Sequence, residues 1–162
     1  CQVSKPEAPL TFYEESDAFK LFLLDCGLLG AMNMTDATEA MLTDNIFEEY
    51  NGALTEQLVL QELKCVPNLP VYYYTKPNSQ QEIDFLIEIK NCAIPVEAKA
   101  GENLQAKSLK QFILENKSGK AIKTSLKQYK GNEVIDNVPL YALYCYLGER
   151  LEARRRGGER LG

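Results

Sequence analysis

The chain contains no histidine. That absence removes the usual zinc ligand, the imidazole base of Ser-His and Cys-His nucleophile pairs, and the histidine general base. Any metal chemistry is left to oxygen ligands, which magnesium and manganese prefer. The five cysteines, Cys1, Cys26, Cys65, Cys92 and Cys145, are scattered, odd in number and never in a CxxC spacing, so they read as buried free thiols. No apolar run approaches the roughly 20 residues needed to span a bilayer, and the start lacks the basic-then-apolar layout of a secretory signal. A soluble cytoplasmic protein is expected. There is also no GxxxxGK(S/T) run, so ATP hydrolysis is not assigned to this chain.

What is present fits one domain: 162 residues, 45% hydrophobic and 25% charged. The net charge of -5 is unevenly spread. Residues 1–98 carry 16 acids and 5 lysines, whereas residues 99–130 carry 8 lysines against Glu102 and Glu115. A lysine concentration of this kind suits a polyanion such as nucleic acid, and equally suits a solvated helix and strand surface.

The opening CQVSKPEAPL reads as an extended connector cut from a longer chain. Ser16 is a candidate N-cap for a helix through residues 19–32, apolar nearly all round and therefore expected to be buried against the rest of the domain or against a partner domain. Thr35 or Asp36 would cap a second, acidic helix. From residue 52, Leu54, Leu58, Val59 and Leu63 share one helical face, and Pro67 interrupts. VYYYT at 71–75 is β-rich, and two alternating runs follow, EIDFLIEI and IPVEAKA. Leu104 to Asn116 forms a helix burying Leu109, Phe112 and Ile113 and keeping Lys107 and Lys110 outside. KAIKTSL at 120–126 is a fourth strand, YKGNEVIDNV a loop, and PLYALYCYL at 139–147 a closing strand or short helix.

The alternating runs carry the chemistry. Strict alternation points Ile83, Phe85 and Ile87 one way and Glu82, Asp84, Leu86 and Glu88 the other. Ile94, Val96, Ala98 and Ala100 form an apolar face opposite Pro95, Glu97 and Lys99. Lys90 and Asn91 lie between the runs, and Asn tolerates the positive φ of a tight hairpin turn. Asp84, Glu97 and Lys99 are thereby drawn together. Alternation alone is equally met by a cross-strand ion pair of little energetic weight.

The α-β-β-β-α-β order, with Asp84 on one strand and Glu97-Ala98-Lys99 on the next, resembles the PD-(D/E)XK nuclease superfamily, with Ile83 where that motif has proline. The segments FKLFLLDCGLL, GALTEQLVLQEL, YYYTK, EIDFLIE, IPVEAKAGEN, SLKQF and NVPLYAL look like the C-terminal domain, of unknown function, of uncharacterised prokaryotic AAA-type ATPases. The resemblance implies an α/β restriction-endonuclease-like core with a mixed sheet at 51–148. A connector and helical segment at 1–50 would pack on it, and 149–162 would be a disordered tail. It also implies Mg²⁺ or Mn²⁺ bound by Asp84, Glu97 and Glu56, with Lys99 completing a catalytic set that cuts DNA. Lys107 and Lys110 would contact the nucleic acid, and an N-terminal ATPase domain would be the partner. A non-catalytic module that binds nucleic acid or docks on that ATPase domain is the alternative.

Overall fold

The computed structural model describes residues 1–32, 48–77, 81–99, 107–116, 118 and 120–158. In chain order these form β1 (Gln2–Val3), a 3-10 turn (Leu10–Tyr13), β2 (Glu14–Glu15), α1 (Cys26–Met32), α2 (Glu48–Lys64), β3 (Val71–Thr75), β4 (Glu82–Ile89) and β5 (Cys92–Ala98). Then come α3 (Lys107–Asn116), β6 (Ala121–Ser125), β7 (Lys130–Gly131), β8 (Ile135–Pro139), a 3-10 turn (Leu140–Ala142) and α4 (Leu143–Gly158). The α-β-β-β-α-β order expected from residue 52 is present as α2, β3, β4, β5, α3 and β6. The protein is α/β, built on one mixed sheet in the order β2-β1-β3-β4-β5-β6-β8-β7.

The centre of the sheet is an antiparallel meander, β3-β4-β5, to which β6 and β8 add in parallel. Lys90 and Asn91 both have positive φ, 54° and 59°, and sit between the paired residues Ile89 and Cys92. Two residues with positive φ match the twist of the strands they join, which fixes the hairpin register. Two-residue strands close both edges of the sheet.

Apolar side chains pack on both faces. On one, Val59 and Leu63 of α2 and Leu143 and Leu147 of α4 meet Phe85, Ile87, Val96, Ile122 and Val138. On the other, Leu109 and Phe112 of α3 meet Val3, Leu10, Tyr72, Tyr74, Ile83 and Leu86. Leu109 and Phe112 are fully buried, and burying a side chain of that size stabilises by about 2–3 kcal/mol.

Several expectations need correction. Strict alternation fails in β4: Tyr72 pairs with Leu86 and Tyr74 with Ile83, so two steps on β3 meet three on β4. This bulge puts Ile83 and Leu86 on the α3 side and leaves Phe85 and Ile87 on the α2 side. The first helix begins at Cys26, capped by Asp25, whose Oδ1 accepts the Leu28 N–H at 2.7 Å; residues 18–25 are not helical. The reason is tertiary: the Leu23 N–H and C=O are both taken by the Gln57 amide, at 3.0 and 2.8 Å, and are unavailable to a helix. The five cysteines are free, but Cys1, Cys65, Cys92 and Cys145 are exposed and Cys26 is half-buried. Residues 135–139 form a strand rather than loop, and α4 continues to Gly158 through most of the stretch read as a disordered tail. Thr35 and Asp36 lie outside the described residues.

Candidate functional site

The β4 bulge places Asp84 where the hairpin ladder opens. The last backbone pair is Phe85 with Val96, and beyond it the Asp84 carboxylate accepts the Ala98 N–H at 2.8 Å. A side-chain oxygen thus replaces a backbone acceptor, and bulges commonly re-aim side chains in this way beside active sites. The Asp84 carboxyl is pushed up to about 6. Burial is the main cause, the negative charge of Glu56 adds to it, and the Ala98 N–H, Lys99 and Lys20 act in opposition.

Glu97 on β5 is only 7% exposed. Its Oε1 pairs with Lys99 Nζ at 2.9 Å, whereas its Oε2 is buried with no hydrogen-bond partner. Such an atom bears a desolvation cost of about 1–3 kcal/mol, more if charged, that no hydrogen bond among the described residues offsets. Past Ala98 the backbone stays anchored, because Lys99 N–H donates to the Thr124 carbonyl at 3.1 Å. Burial would lower the Lys99 pKa, but the hydrogen bond it donates to Glu97 and the charges of Glu97, Asp84 and Glu56 raise it overall, so the ammonium remains charged. Lys99 therefore senses all three acids.

On the parallel neighbour β6, Lys123 lies in register with Glu97 and is 3% exposed. Its pKa is lowered, chiefly by burial; Glu97 opposes this, and Lys99 and Lys127 reinforce it. Interior parallel strands bury both faces, which is why a lysine in AIKTS ends up enclosed.

Sequence reasoning missed Lys20 and Glu82. Lys20 Nζ lies 2.5 Å from Glu82 and 3.7 Å from Glu56, and its charge also acts on Asp84. It sits over the Tyr73 ring, 5.3 Å from the centroid. Burial would lower its pKa, yet the hydrogen bond to Glu82 and the charges of Glu56, Glu82 and Asp84 raise it. The segment carrying Lys20 is tied down one turn at a time along α2. Gln57 grips Leu23, and Gln61 Oε1 accepts both the Cys26 N–H at 3.1 Å and its thiol at 3.0 Å. The available signal was a single cation inside an apolar run, together with glutamines four residues apart on a helix.

Of the expected site residues, Asp84, Glu97, Lys99 and Glu56 form one electrostatic group centred on Lys99. Among the described residues no group of three or more His, Cys, Asp or Glu is arranged to hold a metal ion. Asp84, Glu97 and Glu56 therefore do not close into a three-carboxylate shell, and Lys20 stands beside Glu56 instead. The donor set still fits a hard divalent cation, which is often held by only one or two carboxylates, and the unpartnered Glu97 Oε2 supplies one such oxygen. Lys110 is exposed on α3; Lys107 opens the same helix, and its side chain lies outside the described residues. No helix among the described residues is long and apolar enough to cross a membrane.

A family model described as a domain of unknown function (DUF4143) matches residues 51–143, and the chain belongs to that family. The match spans α2 through the start of α4, and so covers every acid and lysine of the group except Lys20. No curated protein and no solved structure matches the chain.

Proposed function

We propose that this DUF4143 domain hydrolyses phosphodiester bonds in DNA, with Mg²⁺ or Mn²⁺ held by Asp84 and Glu97. The observation that carries this reading is the buried, unpartnered Glu97 Oε2 beside the charged Lys99. An ion bound there would acidify a water molecule and neutralise charge on the phosphoryl oxygens. The protein's own residues supply the rest. Lys99, with 38% of its side chain exposed, can turn its ammonium toward an incoming phosphate while Glu97 holds its other side. Glu56, whose charge acts on both Asp84 and Lys99, would accept a hydrogen bond from a water approaching Asp84. Asp84 must be ionised to bind a cation, so cation affinity is expected to rise as pH passes about 6. Lys20 must yield its place among the acids. The test is incubation of the purified domain with plasmid, linear and branched DNA and either ion; cleavage no greater than that of the Asp84→Ala variant overturns the proposal.

A second reading, a module that docks on an ATPase domain or binds nucleic acid without cutting it, is favoured by two observations. Lys20 already neutralises part of the acid group. Leu21 and Leu24 beside it are more than 80% exposed, and Met32 at the end of α1 is 64% exposed, an apolar surface of the kind that partners cover. This reading requires binding that survives Asp84→Ala and Glu97→Ala.

A further inference from the structure

A groove of about 840 Å³ runs between α3 and the β6-β8-β7 end of the sheet, and none of the acids described above lines it. Its walls include Lys110, Lys123, Lys127 and Lys130, together with Leu126 and Tyr129, and among the described residues no acidic side chain lines it. Leu126 is 76% exposed and Tyr129 57% exposed, so apolar and aromatic surface alternates with ammonium groups along one short loop. That loop is held in shape. Lys127 N–H donates to Ser125 Oγ at 3.2 Å, the Ser125 hydroxyl donates to Asn137 Oδ1 at 2.8 Å, and Asn137 Nδ2 donates to the Gln128 carbonyl at 3.1 Å. At its inner end Lys123 stands in register with Glu97.

We propose that this groove binds single-stranded nucleic acid and leads the strand toward Glu97 and Lys99; only the destination rests on the hydrolytic reading, and the binding itself needs no metal. Lysines alone would suit any polyanion. The interleaved Tyr129 and Leu126 narrow the choice, because a duplex turns its base faces inward and offers nothing to stack on, whereas an unpaired strand presents a base between successive phosphates. The surrounding charge points the same way: residues 1–98 carry 16 acids against 5 lysines, which confines a polyanion to this local track.

The experiment is fluorescence anisotropy of the full 162-residue chain with a labelled oligothymidine of about 20 nucleotides, in EDTA, across a salt series, beside a duplex of equal length. The single strand is expected to bind more tightly than the duplex. The logarithmic salt slope should approach about -2 for phosphate contacts from the three exposed lysines, Lys110, Lys127 and Lys130. Lys127→Gln combined with Lys130→Gln should cut that slope to about a third, and Lys127→Glu combined with Lys130→Glu (the Glu pair) should lower affinity at least about tenfold. Tyr129→Ala should weaken binding at least about fivefold with the slope unchanged. Unchanged melting temperatures identify variants that remain folded, and the Gln pair serves should the Glu pair unfold. Binding is read in EDTA and cleavage is read separately with Mg²⁺ restored, so loss of cleavage and loss of binding are separately visible. Equal or tighter duplex binding, no binding at low salt, or indifference to the lysine substitutions would overturn the proposal.

Discussion

Two acids are buried in this sheet, and they are treated in opposite ways. Asp136 on β8 is 1% exposed and surrounded by donors: Lys120 Nζ at 3.0 Å to each oxygen, Arg150 Nη2 at 3.0 Å and the Tyr146 hydroxyl at 2.5 Å. Burial and that hydrogen bond push the Tyr146 hydroxyl well above its ordinary range, so it stays protonated and donating. Glu97, two strands away on β5, has one oxygen paired with Lys99 and the other unpaired, and Asp84 is held at an opened ladder by one N–H. A charge whose burial is compensated on every side is structural. A charge left half-compensated, beside a partly exposed cation, is what the proposed metal ion would complete.

The contrast is broken most forcefully at Asp136. Replacing it with alanine leaves Lys120, Arg150 and Tyr146 facing an empty position and is expected to cost about 3–5 kcal/mol in urea denaturation; a loss below about 1 kcal/mol would put it in the same class as Glu97. Asp84→Asn should do the reverse. The folded carboxyl, at about 6, holds its proton more tightly than the unfolded one. Stability from this group is therefore full below about pH 4 and is lost as pH rises through about 6. The asparagine keeps an acceptor for Ala98 and carries no charge, so it should stabilise the protein at pH 8 by up to about 3 kcal/mol and flatten the stability profile between pH 4 and 6. Destabilisation at pH 8 would mean that the Asp84 charge is already compensated. The smallest effect is expected for Lys20→Met. Removing this ammonium from between Glu56 and Glu82 should tighten Mn²⁺ binding several-fold in calorimetric titration, equivalent to about 1 kcal/mol. Unchanged or weaker binding would remove Lys20 as a competitor for the acids.

The parts of the protein governed by neighbours in sequence were legible. The Lys90-Asn91 turn follows from the positive φ it needs, and the buried faces of α2 and α3 follow from the spacing of Val59 with Leu63 and of Leu109 with Phe112. What was not legible depends on partners distant along the chain. The β4 bulge exists only in the pairing of β4 with β3, so no alternation pattern could reveal that Ile83 and Phe85 part company. Residues 135–139 looked like loop because Asp136, Asn137 and Pro139 are poor strand formers, yet Asp136 is satisfied by side chains and the strand is paired on both sides. The segment around Lys20 has the composition of a helix but surrenders Leu23 to Gln57. The acids were visible as a pattern; that one of their oxygens lacks a partner was not.

The narrow margins of the sheet have a consequence for recognition. Both outer strands, β2 and β7, are only two residues long, so a segment seeking to add itself as a ninth strand would gain a ladder too short to hold it. Main-chain zippering is thereby discouraged as a mode of association, and selectivity passes to side chains projecting from loops and helix surfaces. Encounters of that kind answer to ionic strength and to single substitutions.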